Sequence, residues 1–296
     1  MRAYGRRQQL KVAHAPGELE RRPRAVAIGT FDGVHVGHRA VVRAAVEHGP
    51  LPTVVTFHPH PREVLGYQVS LLATLERRLE LLAELGVEET LVVEFTPQVA
   101  ALEAEEFARS YLEAIGADVV VAGESFRFGS GRRGDLGLLE RLGFATGVVP
   151  IVEGISSTEI RRLIAAGAVR DVPPLLGRPA EVDGTVVSGD ARGGTLGFPT
   201  ANLRTDPGLL VPAFGIYAGA AGEHRAAISI GVNPHYGGAE RRIEAYLLDF
   251  AGDLYGKRLV VELWERLRDE RAFESEADLV AQIAADVAAT RAAVRP

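Results

Sequence analysis

Five short apolar runs, at 25–30, 53–57, 90–95, 118–122 and 146–151, alternate with stretches of helical spacing, and this alternation restricts the fold more than any other feature. The helical stretches are 39–48, 74–85, 104–115 and 135–142. In the second of them Leu75, Leu79, Leu82 and Leu85 recur at helical spacing and Gly86 supplies the stop. Strands separated by helices of this length predict a Rossmann-like, doubly wound parallel sheet. Ligands of such sheets sit beyond the carboxyl ends of the strands. Three distinctive loops fall there: 29–38, 57–61 and 123–134.

Near Val172-Pro173-Pro174 the pattern changes. Short alternating segments at 181–188, 215–220, 225–231, 241–250 and 258–266, separated by Gly, Asp and Pro, predict an antiparallel barrel or sandwich. Leu279, Ile283 and Val287 then return to helical spacing between Ser275 and Ala293, with Ser275 as the N-cap. Two domains are expected, 1–172 and 173–296.

The net charge of −6 argues against a nucleic-acid partner, which usually needs a basic footprint. With no cysteine, disulfides, zinc–thiolate sites and thiol nucleophiles are excluded. No run reaches the about 18 apolar residues of a membrane span, so the expectation is a cytoplasmic protein with no membrane partner. Nothing in the sequence decides whether it forms a homo-oligomer.

The loop after the first strand reads Gly29-Thr30-Phe31-Asp32-Gly33-Val34-His35-Val36-Gly37-His38. His35 and His38 are placed at a helix start, where free N–H groups and the dipole attract anions. Gly37 would let a phosphate approach the backbone. A histidine pair three residues apart could also bind a metal, but no third ligand shares the helix. Neutral imidazoles donating N–H to phosphate oxygens are expected. The Gly-x-Phe-Asp-x-x-His-x-Gly-His arrangement resembles the nucleotidylyltransferase superfamily, in which such histidines stabilise a triphosphate during attack at its α-phosphorus. Ser156 or Ser157 can cap a helix running to Gly167, which puts Arg161 and Arg162 near its first turn. Cations are unfavourable there unless an anion offsets the dipole. The loop 123–134 carries Arg127 with Phe126 and Phe128 between glycines, a composition that can wrap phosphate and pack on a flat ring. His58 and His60 stand in a proline-stiffened loop.

A second glycine-rich stretch, 189–197, leads into Phe198-Pro199-Thr200-Ala201-Asn202. Its backbone N–H groups can form an anion nest, and Thr200 and Asn202 offer neutral oxygens to a Mg²⁺ already carrying phosphate. Glu244 lies in an apolar strand-like run and reads as a buried carboxylate. It is expected either to pair with an arginine or to act as general base.

The two constellations in this order resemble the bacterial bifunctional riboflavin kinase/FAD synthetases. Gly29 to His38, Pro59-His60-Pro61, Phe126 to Gly129, Ile155 to Arg161, Leu196 to Asn202, Glu244, Leu254-Tyr255-Gly256, Arg266 to Glu270 and Gln282 to Asp286 carry the resemblance. It implies that the first domain transfers AMP from ATP to FMN, giving FAD and pyrophosphate. His35, His38 and Arg161 would stabilise charge, with Gly29, Phe31, Asp32, Gly37, Ser156, Ser157 and Thr158 around ATP. His58, Ser125, Phe126, Arg127 and Phe128 would lie near the flavin nucleotide. For the second domain it implies a six-stranded Greek-key barrel with a C-terminal helix that phosphorylates riboflavin. There Glu244 would be the base, Thr200 and Asn202 the Mg²⁺ ligands, and Gly189, Arg192, Gly193 and Gly197 the ATP cradle. Three positions depart from the family pattern: Ser125 replaces Asp or Asn, Gly194 a basic residue, and His235 a Thr. Ser125 motivates the alternative of a riboflavin kinase with a weakened or inactive adenylyltransferase domain. A flavin-binding or sensing protein without turnover is a third reading.

Overall fold

The computed structural model describes residues 10–49, 51–189, 197–232 and 241–296. Two compact units emerge, one from the stretches up to Val69 and Leu75–Ile155, the other from Ser70–Thr74 and Ser156–Pro296.

The first unit is a wholly parallel six-stranded sheet of β1 (Lys11–Ala13), β2 (Arg24–Ile28), β3 (Pro52–His58), β4 (Glu89–Glu94), β5 (Ala117–Gly123) and β6 (Ala145–Val149). Its order is β1-β4-β3-β2-β5-β6. The winding therefore reverses beside β2, with β3 on one flank and β5 on the other. All five residues of β2 are buried, as a strand covered on both faces requires. The helices are α1 (Val36–His48), α2 (Pro61–Val64), α3 (Leu75–Glu84), α4 (Pro97–Ala101), α5 (Ala104–Phe107) and α6 (Leu136–Arg141). The helix expected over 104–115 is α5 continued by a π-helical turn, Ala108–Glu113. The doubly wound expectation holds. Strand β1 was not anticipated, because three residues carry no period and only pairing with β4 makes them a strand.

The amino-terminal edge of this sheet is closed by charge. Arg24 and Glu89, the first residues of β2 and β4, are buried and bonded from Nη2 to Oε2 at 2.7 Å, with a second bond from Nε at 3.1 Å. Arg22 donates to the other carboxylate oxygen at 3.0 Å, and Arg24 Nη1 donates to the Ile115 carbonyl.

In the second unit, α7 (Ser157–Ala165) and α8 (Pro173–Leu176) precede a closed antiparallel barrel. Its strands are β7 (Ala180–Val187), β8 (Ala201–Thr205), β9 (Gly215–Ala221), β10 (His224–Val232), β11 (Arg241–Leu247) and β12 (Arg258–Arg268). The order β10-β11-β8-β7-β12-β9 is the non-sequential pairing expected of a Greek key. Strand β8 was not anticipated, since the glycine-rich run before it hides its alternation. The C-terminal helix, Glu276–Ala292, is capped by Ser275, whose hydroxyl accepts from Asp278 N. Ser70–Thr74 is part of this unit. Leu71 bridges Leu209, Leu72 is buried in the barrel core, and Thr74 Oγ1 donates to Asp183 at 2.5 Å.

Burial pushes the Glu89 carboxyl up, but the hydrogen bonds from Arg24 and Arg22 outweigh it and hold the group below its ordinary value. A depressed folded value means that the stabilisation is complete above the ordinary carboxylate range and is lost as pH falls through the lowered value. Glu89→Gln leaves Arg24 buried without a counter-charge and is expected to cost about 3–5 kcal/mol at neutral pH. Chemical denaturation measured at pH 7 and below pH 4 checks this, because the variant and the wild type should converge in acid.

Candidate active sites

The chain leaves β2 at the point where the winding reverses and turns into α1 within seven residues. Phe31 and Val34 adopt left-handed backbone, φ 49° and 42°, and Gly33 lies at 78°. Each such non-glycine residue costs about 1–3 kcal/mol and persists only when its surroundings determine it. Here both side chains are buried, Phe31 at 1 % and Val34 at 0 % exposure. The turn delivers His35 to the N-cap of α1, where Nδ1 accepts from His38 N at 3.3 Å. A ring that accepts at Nδ1 carries its proton on Nε2 when neutral. The His35 and His38 rings stack at 3.5 Å between centroids, 15° from parallel, and Phe31 meets His38 edge-on at 5.4 Å. A Cβ on Gly37 would stand 3.3 Å from His35 Cε1, and one on Gly29 3.2 Å from Phe31 Cζ. Both glycines make room for these rings. Asp32 is buried beneath the turn.

Around this loop stand the other strand ends. His58 is exposed at the end of β3, whereas buried His60 caps α2 by accepting from Arg62 N at 3.1 Å. Ser125 is exposed in the turn after β5, closed by Phe126 N donating to the Gly123 carbonyl. The loop 123–134 is pinned: Phe128 and Gly134 exchange backbone bonds, and Ser130 N donates to Leu102 O. Phe128 is buried and packs near Phe107, while half-buried Phe126 stacks on Phe128 and Arg127 is exposed.

In the second unit Ser156 caps α7 by accepting from Glu159 N at 3.1 Å, as expected. Ser157 and Thr158 open the helix. Arg161 lies just past the first turn of this nine-residue helix, and its Nε donates to Ser70 O at 2.7 Å; Arg162 is corrected to the last turn, where a cation is favourable, and it reaches back to Glu159 of the first turn.

The barrel holds a cavity of about 320 Å³. Thr200, Ser229 and Glu244 give it polar groups, and Phe198, Phe273 and Ile283 give it apolar walls. Strand pairing sets Glu244 directly opposite Asn202, with Thr200 two residues before it. Arg242, two residues before Glu244 on the same face, donates to Asn202 Oδ1 at 3.2 Å and forms an ion pair with Glu244. The expectation that Glu244 is buried is corrected: its side chain is 23 % exposed. Ile243, Ala245 and Leu247 form the buried face of β11, and Glu244 and Tyr246 face the cavity. Gly189 lies against the Asn202 amide, which any side chain there would displace. Gly197 adopts φ 84° just before Phe198. Arg192, Gly193, Gly194 and His235 lie outside the described residues.

Arg242 carries no sequence signal of its own and reads as a strand-start cation. Glu270, which lies in a segment that carries the resemblance without an assigned role, lines the cavity, where burial and the like charge of Glu244 push its carboxyl up against the opposing effect of Arg268.

Among the described residues no group of three or more His, Asp or Glu could hold a metal ion, and no helix is long and apolar enough to cross a membrane. The FAD synthetase family model matches residues 18–161 and the riboflavin kinase model residues 176–294. A bifunctional riboflavin kinase/FMN adenylyltransferase of Listeria monocytogenes is 38 % identical over 288 residues, covering 91 % of this chain and 92 % of its own. The protein of that name from Bacillus subtilis is 35 % identical, covering 88 % and 89 %. A crystal structure described as a macrolide-efflux protein from Streptococcus pneumoniae superposes with a TM-score of 0.84 at 34 % identity, over 95 % of this chain and 98 % of that one. On these matches across both units, the chain belongs to the family of bifunctional riboflavin kinase/FMN adenylyltransferases.

Proposed function

We propose that this chain phosphorylates riboflavin with ATP to give FMN and then transfers AMP from a second ATP to FMN, giving FAD and pyrophosphate. The observation that carries the reading is the presence in one chain of a stacked histidine pair at a helix N-terminus and of Glu244 paired in register with Asn202 beside a cavity lined by Phe198 and Phe273. Residues 1–172 are assigned to adenylyl transfer and 173–296 to the kinase, a boundary that falls between the two family matches.

In the first reaction Phe198, Phe273 and Ile283 suit a planar apolar ring, and the polar end of the cavity suits the ribityl chain. Glu244 takes the proton of the 5′-hydroxyl as its oxygen attacks the γ-phosphorus of ATP, the bond from that phosphorus to the β,γ-bridging oxygen breaks and ADP leaves, and Arg242 orients the carboxylate. The Thr200 hydroxyl and the Asn202 carbonyl are assigned to a Mg²⁺ that arrives with nucleotide phosphates, since such an ion needs few protein oxygens; the Asn202 oxygen accepts from Arg242 here, and that guanidinium would give way to the ion. When bound it would neutralise phosphate charge. Gly189, Arg192, Gly193 and Gly197 are assigned to the ATP phosphates.

In the second reaction a phosphate oxygen of FMN attacks the α-phosphorus of ATP. The Nε2–H of His35, His38 and the α1 amino terminus stabilise charge on the phosphates as pyrophosphate leaves, an electrostatic role suited to fixed donors. Gly29, Phe31, Asp32 and Gly37 build this cradle. Ser156, Ser157, Thr158 and Arg161 are assigned to ATP on the family match, which runs to residue 161. His58, Ser125, Phe126, Arg127 and Phe128 are assigned to FMN; buried Phe128 acts by supporting Phe126. Nothing observed favours an inactive first domain, because the histidine pair and its turn are intact.

Chromatography of products from riboflavin with ATP–Mg²⁺, and separately from FMN with ATP–Mg²⁺, tests the reading. FAD is expected in both incubations, and FMN accumulating without FAD would sink the bifunctional claim. His38→Ala should abolish FAD formation, by about 100-fold or more, while FMN formation persists. Conversely, Glu244→Gln should lose riboflavin phosphorylation by about 100-fold or more yet adenylylate supplied FMN. Riboflavin phosphorylation at the wild-type rate by Glu244→Gln would remove that residue as the base.

A further inference from the structure

The strained turn at 30–34 lies between a strand and the helix that carries the histidines, and a buried guanidinium from a third element reaches it. Arg78, on α3, is 5 % exposed. Its Nη1 donates to the Thr30 carbonyl at 2.6 Å and its Nη2 to the Phe57 carbonyl at 3.2 Å. Thr30 follows β2, and Phe57 is the penultimate residue of β3. One planar group thus ties together the carboxyl ends of neighbouring parallel strands, which a lysine ammonium cannot do with the same fixed fork. Thr56 Oγ1 donates to the same Thr30 carbonyl at 3.1 Å, and Val34 N closes the turn on Phe31 O at 3.0 Å.

Electrostatics agree with this placement. Burial lowers the Arg78 pKa, and the charge of Asp32, itself 2 % exposed, opposes that shift. The other buried residues of α3 are Leu81 and Leu82, both apolar. A buried guanidinium is costly as packing material. Its Nη1 goes to the segment that leads into His35, its Nη2 goes to the neighbouring strand, and its Nε is buried with no hydrogen-bond partner among the described residues.

We infer that Arg78 is a positioning residue for adenylyl transfer, fixing the backbone of Thr30–Asp32 and through it the place of the His35–His38 pair, without touching substrate. The inference rests on the adenylyltransferase reading above. Misplacing reacting groups by as little as 1 Å can cost about 100-fold in rate. Loss of Arg78 should therefore appear in kcat for FAD formation and leave the KM for ATP nearly unchanged.

The test uses full-length Arg78→Met and Arg78→Lys, assayed at a temperature where circular dichroism shows each to be folded. Both reactions are measured on each protein. Arg78→Met is expected to lose about 100-fold in kcat for FAD formation, with the KM for ATP within about 3-fold and riboflavin phosphorylation at the wild-type rate. Arg78→Lys keeps the charge and one donor, and should fall about 10-fold below wild type. Folded Arg78→Met making FAD at the wild-type kcat overturns the inference, as does a loss confined to KM or shared equally by both reactions. Should Arg78→Met fail to fold, Arg78→Lys decides: reduced kcat at constant KM supports the role, and wild-type kcat refutes it. Wild-type protein that makes no FAD at all would refute the adenylyltransferase reading and the inference with it, and is recognised by that control.

Discussion

The reversal of winding beside β2 is the constraint from which the first unit follows. Because β3 and β5 flank this strand and the connections diverge, the carboxyl end of β2 opens at the sheet edge. A strand buried on both faces must leave the sheet abruptly, and here it does so through a turn that two non-glycine residues occupy in left-handed conformation. That turn makes His35 the cap of α1 and stacks it on His38. A looser exit could not bring two imidazoles to one helix terminus at this spacing.

The two edges of the same sheet use arginine in opposite ways. At the amino-terminal edge Arg24 meets a carboxylate, Glu89, and the charges are closed off from solvent. At the carboxyl-terminal edge Arg78 meets carbonyls and sets backbone. The barrel solves its problem through register: antiparallel pairing places Glu244 opposite Asn202, so neighbouring strands carry a carboxylate and an amide to one mouth, with Arg242 between them.

Legibility in the sequence followed the physics of each signal. Alternating strand and helix periods gave the doubly wound sheet and most of the barrel strands, because burial imposes those periods directly. The Ser156 and Ser275 caps and the helix start at the histidine motif were readable because capping needs particular residues at fixed spacing. Strand β1 and strand β8 were not, one being too short for a period and the other masked by glycines. The bonds of Arg161 to Ser70 and of Arg162 to Glu159 were not readable, since a capped helix start fixes the cap and not the partners of later side chains. Arg78 and Arg242 owe their contacts to strands and helices far away in sequence, and no local pattern encodes that.

The strap at Ser70–Thr74 bears on how the second unit comes into being. Leu71 bridges Leu209, and Thr74 bonds Asp183 across 109 residues of chain, so the barrel unit is not finished by its own contiguous sequence. During synthesis Leu72 leaves the ribosome long before the barrel core that buries it, and it stays an uncovered apolar side chain until β7 and the strands after it have emerged. Contacts of such separation form late in folding because the loop must close before they are made. The last event in assembling the barrel unit thus uses one of the earlier pieces of the chain.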